Sequence, residues 1–251
     1  MLRDVVAAVE PALAIVECED IYAGGSKGSG FFITAEGHLV TNNHVVAEPK
    51  IEGGALVFQY SERIEVVVAG KRYPAAVVSR TDAPQPSVYD YAILKVDGIE
   101  AGPYLRAGDP GLVRRGDQVL CLGFPLDFES LIATAGIVSA VLRRPSHINS
   151  LHQMRTIVTD ALVQFGNSGG PMVHVDSGEV VGINTLGHEL RDALSQRLRS
   201  WSSHPSSADF PLVRDVIDFT LKYTYVGLNH AISVEYARAD PAWPTERGET
   251  P

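Results

Sequence analysis

The apolar residues of this chain arrive in short runs divided by turn signals. Ile64-Glu65-Val66-Val67-Val68 runs into Ala69-Gly70, and Gly30-Phe31-Phe32-Ile33-Thr34 forms another such run. Ala14-Ile15-Val16-Glu17-Cys18 and Val119-Leu120-Cys121-Leu122 are almost wholly apolar. Short runs of this kind between turn residues predict strands, and their repeated spacing predicts an all-β chain, either barrel or sandwich. One region departs from this rhythm. Leu190, Ala193, Leu194, Leu198 and Trp201 recur at helical spacing. After Ser202-Ser203-His204-Pro205, Asp209 and Pro211 suit a helix start, and Val213, Val216, Ile217 and Leu221 share a second face. Residues 188–226 therefore read as two helices.

Composition narrows the class. With 251 residues, 45% of them hydrophobic, and 23 Gly and 15 Pro, the chain suits a turn-rich globular fold. A chain of this length buries about 70–75% of its extended surface, so a full core is within reach in one or two domains. A net charge of −9 argues against nucleic acid or an anionic membrane as a partner. No run approaches the ~18 apolar residues that span a bilayer. Met1-Leu2-Arg3-Asp4 lacks the charged-then-apolar pattern of a signal peptide, which makes the cytoplasm the expected location. His147 and His152 have no companion ligands and read as loop histidines beside Arg143, Arg144 and Pro145. Neither a metal nor another cofactor is expected.

The chemistry concentrates in three segments. Gly166-Asn167-Ser168-Gly169-Gly170-Pro171 sets a serine among glycines, where the backbone turns sharply and aims amide N–H groups at one point. A serine hydroxyl is a weak nucleophile that needs a nearby base and a home for the oxyanion it creates. Gly-Gly-Pro by itself is ordinary loop punctuation, so the other segments matter. Thr41-Asn42-Asn43-His44-Val45-Val46 supplies a histidine, whose unperturbed pKa near ~6.5 suits a general base. Tyr89-Asp90-Tyr91-Ala92-Ile93-Leu94-Lys95-Val96 opens an apolar strand with an acid that can orient an imidazole. Taken singly, these are a polar residue and a turn aspartate. Together they follow the order His, Asp, Ser, one of the known orders of this constellation.

With Gly28-Ser29-Gly30-Phe31, Gly123-Phe124-Pro125, Gly136-Ile137-Val138-Ser139, Thr159-Asp160-Ala161, Gly182-Ile183-Asn184-Thr185 and Gly227–Ile232 added, the chain resembles the chymotrypsin-like serine proteases. The likeness is greatest to their HtrA/Deg branch and runs from about Val5 to Ala237. It implies two antiparallel six-stranded β-barrels: residues 1–98 with His44 and Asp90, a connection over 99–117, and residues 118–237 with Ser168. It implies His44 as base, Asp90 as its orienter and Ser168 as nucleophile of a serine endopeptidase. The Gly166 and Ser168 N–H groups, with Asn167 between them, would form the oxyanion hole. Digestive relatives carry an aspartate where this chain has Asn167, so gating by N-terminal clipping is not expected. Cys18 and Cys121 would fall in different barrels as buried free thiols.

The resemblance also bounds specificity and marks two departures. The position that is acidic in Arg/Lys-cleaving relatives is Leu162, which points to small or medium apolar residues before the cut. Gln164 and Phe165 would shape the adjoining wall, and Asn184 and Thr185 lie on a strand that lines the pocket in the family. The helical segment 188–226 is an insertion in the second barrel, either a packed decoration or a lid that recruits an activating partner. Residues 238–251, rich in proline and charge, read as a loose tail where well-known relatives continue into a PDZ domain. Oligomeric state stays open. A protein or peptide is the expected substrate, and a partner-activated processing protease or a chaperone-like peptide-binding module are the other readings.

Overall fold

In the computed structural model, which describes residues 2–22, 25–53, 55–79, 89–99, 102–125, 130–146, 151–185 and 229–244, the short apolar runs become strands. Helix α1 (Leu2–Val9) leads into β1 (Leu13–Cys18), β2 (Ser26–Phe32) and β3 (His38–Thr41). A single helical turn, α2 (Asn43–Val46), precedes β4 (Ala47–Glu52) and β5 (Ala55–Tyr60). Strands β6 (Ile64–Val68), β7 (Lys71–Val77) and β8 (Ala92–Val96) complete the first half. The second half holds β9 (Gln118–Gly123), β10 (Ile132–Pro145), β11 (Gln153–Thr159), β12 (Pro171–His174), β13 (Val180–Thr185), β14 (Asn229–Ser233) and α3 (Glu235–Arg238).

The strands close into two antiparallel barrels, in the orders β1-β2-β3-β8-β7-β6 and β10-β11-β14-β13-β12-β9. Closure leaves no open edge in either barrel. The all-β double barrel of six strands each is thus the architecture of the chain. The β4–β5 hairpin forms a separate two-stranded sheet, with Ala47 opposite Tyr60. The two helices expected over 188–226 lie outside the described residues.

Side-chain alternation explains why several strands read as continuous apolar runs. In β8, Ala92, Leu94 and Val96 point into the first barrel, whereas Ile93 and the preceding Tyr91 face the seam between barrels. In β9, Val119 and Cys121 fill the second barrel while Leu120 and Leu122 face the same seam. A strand buried on both faces has no polar side to show. The seam core also takes Val9 and Ala12 from the segment before β1 and Ala237 from α3, so the stretches flanking the barrels help fix them together.

The expected loose tail from Arg238 onward is, as far as Pro244, a packed element. Asp240 is buried, its amide donates to the Ala237 carbonyl, and Ala242 and Trp243 lie against the seam core. Partial burial of the large Trp243 ring against this core outweighs what the proline content suggests. The rest of the tail, 245–251, lies outside the described residues. Cys18 and Cys121 are free and buried, one in each barrel. Burial pushes the Cys18 thiol up to about 11 and that of Cys121 up to about 12.

Candidate active site

The site lies where the two barrels meet, and it is assembled from three elements. β3 runs into α2, which carries His44 toward the aspartate ahead of β8. His44 Nδ1 stands 2.8 Å from Asp90 Oδ2 and 3.0 Å from Oδ1. The His44 backbone N–H also donates to Oδ1, at 3.0 Å, so the carboxylate grips ring and main chain together. A carboxylate only accepts, which assigns the Nδ1 proton and leaves the Nε2 lone pair able to take one.

Asp90 is itself fixed from several sides. It is 3% exposed, its Oδ2 accepts from Thr185 Oγ1 at 3.3 Å, and its carbonyl accepts from Asn42 Nδ2 at 2.7 Å. Its backbone is left-handed, with φ +56°, a conformation that aspartate tolerates better than most residues. Thr185 comes from the second barrel, so the first barrel's His–Asp pair is anchored across the seam. The Tyr22 hydroxyl donates to the Ala47 carbonyl at 3.1 Å and stabilises the end of the short α2 turn.

Ser168 sits on a loop whose peptides are oriented one by one. Asn167 N–H donates to the Gln164 carbonyl at 2.9 Å, and Gly166 has φ +95°, the geometry of a type II turn. The Gly166 carbonyl accepts from Ser29 Oγ at 2.6 Å, which locks the 166–167 peptide at both ends. The Asn167 carbonyl accepts from Gly170 N–H at 3.0 Å, and because a peptide is planar this turns the Ser168 N–H the opposite way. Among the described residues, neither the Gly166 nor the Ser168 N–H has a hydrogen-bond partner. Both are therefore available to receive a negative oxygen. Ser168 Oγ likewise forms no hydrogen bond among the described residues.

Ser29 is the residue that motif reading passes over as one letter of Gly28-Ser29-Gly30-Phe31. It is wholly buried and commits each of its polar groups to the seam. Its N–H donates to the Ser168 carbonyl at 2.8 Å, and its carbonyl accepts from Thr41 Oγ1 at 2.7 Å. Its hydroxyl donates to Gly166 and accepts from Phe124 N–H at 2.8 Å. Close approach is what its neighbours require. A Cβ on Gly28 would stand 2.6 Å from a Val45 methyl and 3.0 Å from the Ser168 carbonyl oxygen. A Cβ on Gly169, where φ is +87°, would collide with the Ser29 carbonyl and the Thr41 hydroxyl.

The expected substrate-lining residues divide. Leu162, Gln164 and Phe165 are half-buried on the strand-to-loop stretch leading to Ser168, and the Leu162 carbonyl accepts from Thr134 Oγ1 at 2.6 Å. Asn184 and Thr185 are turned inward instead. Asn184 is wholly buried and donates to the carbonyls of Leu122 at 3.1 Å and Pro171 at 3.0 Å. Thr185 gives its hydroxyl to Asp90. Their side chains brace the site rather than face the cleft, because the seam holds buried carbonyls and a carboxylate that need donors. His152 lies edge-on to Tyr89, with ring centroids 6.1 Å apart, and His147 falls outside the described residues. No group of three or more His, Cys, Asp or Glu side chains among the described residues is placed to hold a metal ion.

Comparisons with known proteins supply the family. Residues 28–183 match the trypsin-like peptidase domain family. The chain is 36% identical over 193 residues to the mitochondrial serine protease HTRA2 of Bos taurus, covering 74% of this chain and 38% of that protein. It is 40% identical over 162 residues to a probable periplasmic serine endoprotease, DegP-like, of Rhizobium meliloti (strain 1021), covering 64% of this chain and 28% of that one. The chain thus spans well under half the length of these relatives. Among solved structures, the HtrA-type protease AlgWS227A with tripeptide superposes with a TM-score of 0.64 at 26% identity, over 94% of this chain and 61% of that one. The matched segment takes in His44, Asp90 and Ser168 alike, and on these grounds the chain belongs to the trypsin-like peptidase family, in its HtrA branch.

Proposed function

We propose that this chain is a serine endopeptidase working through an acyl-enzyme. Ser168 Oγ attacks the scissile carbonyl as His44 Nε2 takes its proton, and the Asp90 carboxylate on Nδ1 stabilises the imidazolium that forms. The carbonyl oxygen, now negative, is received by the Gly166 and Ser168 N–H groups. His44 returns the proton to the leaving amine, which breaks the C–N bond. Water then attacks the acyl ester, again losing a proton to His44, and releases the acid while Ser168 recovers its hydroxyl. The observation that carries this reading is the geometry of the turn from Gln164 to Gly170, in which Gly166 and Ser168 present donors with no partner among the described residues, beside a half-buried His44 held on the buried Asp90.

Leu162 places no counter-charge where basic-specific relatives keep one, so small or medium apolar residues are the preferred class before the cut. Digestion of an unstructured protein such as casein tests the activity: the parent should cut it and Ser168→Ala should not. Sequencing the fragments should show apolar residues before the cuts, and cuts after Lys or Arg would overturn that preference. A second reading, a protease at rest until a partner engages it, draws on Ser168 Oγ making no hydrogen bond among the described residues. Catalytic hydrogen bonds often tighten only when substrate binds, and the formed turn at Gly166 favours a site competent without a partner.

A further inference from the structure

Asp90 holds a left-handed backbone at φ +56° while its carboxylate is engaged by His44 and Thr185. Such a conformation costs free energy in a side-chain-bearing residue, less for aspartate than for most, and neighbouring contacts must hold it. The two residues flanking it in sequence are both tyrosines, and both are tied to the last described segment of the chain. Tyr89 stacks on Tyr236 with ring centroids 4.2 Å apart and planes 9° from parallel. The Tyr91 hydroxyl, wholly buried, donates to Asp240 Oδ2 at 2.9 Å, across 149 positions of sequence. Asp240 is its one hydrogen-bond partner among the described residues.

The far side of the contact is equally fixed. Asp240 is 3% exposed and its Oδ1 accepts from Ala242 N–H at 2.8 Å. The Tyr236 hydroxyl accepts from Arg155 N–H at 2.6 Å, and Glu235 lies 3.5 Å from Arg155. The clamp therefore stands on β11 of the second barrel and reaches the turn of the first barrel that presents Asp90. Burial, joined by the Asp240 carboxylate, holds the Tyr91 hydroxyl protonated well above the usual phenol range, so it remains a donor at any working pH. Tyr60 and Tyr89 are the other titratable groups facing this pair.

We propose that the segment Glu235–Trp243 is a clamp on the catalytic aspartate, with Tyr91 and Asp240 as positioning residues that hold Asp90 on the His44 ring. The inference rests on the role proposed above for Asp90. A misplacement of about 1 Å by a change remote from the chemistry costs on the order of 10²-fold in rate. Tyr91→Phe should accordingly lower kcat about 10–100-fold with KM unchanged. Its effect should vanish in an Asp90→Asn background, because two residues acting through one contact are not additive. The pair Tyr91→Phe with Asp240→Ala removes donor and acceptor together and guards against simple misfolding.

An independent readout is the low-field proton resonance of the imidazole Nδ1–H, recorded in Ser168→Ala protein, which reports the His44–Asp90 hydrogen bond without turnover. Its loss or broadening on adding Tyr91→Phe is the expected result. Parent-like kcat and an unchanged resonance in Tyr91→Phe and in the paired variant would overturn the clamp. So would a Tyr91→Phe loss that is just as large in Asp90→Asn protein. An unreactive parent whose resonance still disappears in the variant supports the clamp while removing the catalytic reading, so the two claims fall separately.

Discussion

Ser29→Ala removes one oxygen atom and strips two hydrogen bonds from the seam. The Gly166 carbonyl loses its donor at 2.6 Å, and the Phe124 N–H loses its acceptor at 2.8 Å. A buried group left unpaired costs about 1–3 kcal/mol. Gly166 and Phe124 are only half-buried, so water replaces part of what is lost and a total of about 1–3 kcal/mol is expected. For a chain of this size that corresponds to a Tm lower by roughly 2–12 °C. The catalytic effect should be larger in proportion. Without Ser29 Oγ the one hold on the 166–167 peptide among the described residues is Asn167 N–H on Gln164, and rotation of the turn withdraws a donor from the oxyanion. Loss of one such donor costs about 10²–10³ in kcat. Urea denaturation gives the stability change, and steady-state kinetics with an apolar peptide substrate gives the rate. Affinity for a peptide boronate, which mimics the tetrahedral state, should fall in step with kcat while KM stays put. A destabilised Ser29→Ala protein with parent kcat would refute the positioning role and leave Ser29 as a structural pin.

Other consequences are as direct. Asp90→Asn should preserve the fold and slow kcat by about 10⁴-fold, the value of the serine-protease template, as the imidazole loses its proton acceptor at Nδ1. A kcat/KM that is flat from pH 5 to 9 would deny His44 its role as base. Gly169→Ala combines a left-handed φ with a collision against Ser29 and Thr41, and should cost about 2–4 kcal/mol by denaturation. The thiols of Cys18 and Cys121 are raised from an ordinary 9.0 to about 11 and about 12 by burial. The folded state thus favours the protonated thiol, so their contribution is complete below pH 9 and is lost as pH rises through 11 and 12. Stability measured over that window should fall less steeply in Cys18→Ala protein.

The double barrel and the segments that bring His44 to Asp90 are legible because their signals are local. A histidine after a strand and an aspartate before one each announce themselves within a few residues, as does a serine between glycines. Alternating runs such as Ile64–Val68 mark strands. The β4–β5 hairpin escapes such reading, because Pro49 and the charges of Glu48, Lys50 and Glu52 argue against a strand in isolation. Packing is the other blind spot. Nothing beside Asn184 or Thr185 tells that their side chains turn to buried carbonyls and to Asp90 rather than to a substrate. Asp240 sits in a stretch whose composition suggests a tail, and its partner Tyr91 is 149 positions away. Ser29 is visible as part of a motif, but its task depends on where Gly166 and Phe124 lie once the barrels have docked.

Ser168 as an activated nucleophile beside a formed oxyanion hole is tested most directly by intact-mass spectrometry after incubation with a fluorophosphonate, with parent and Ser168→Ala proteins side by side. A single adduct on the parent and none on the variant is the predicted result. A folded parent that takes no adduct, or a Ser168→Ala protein that still takes one, would contradict it.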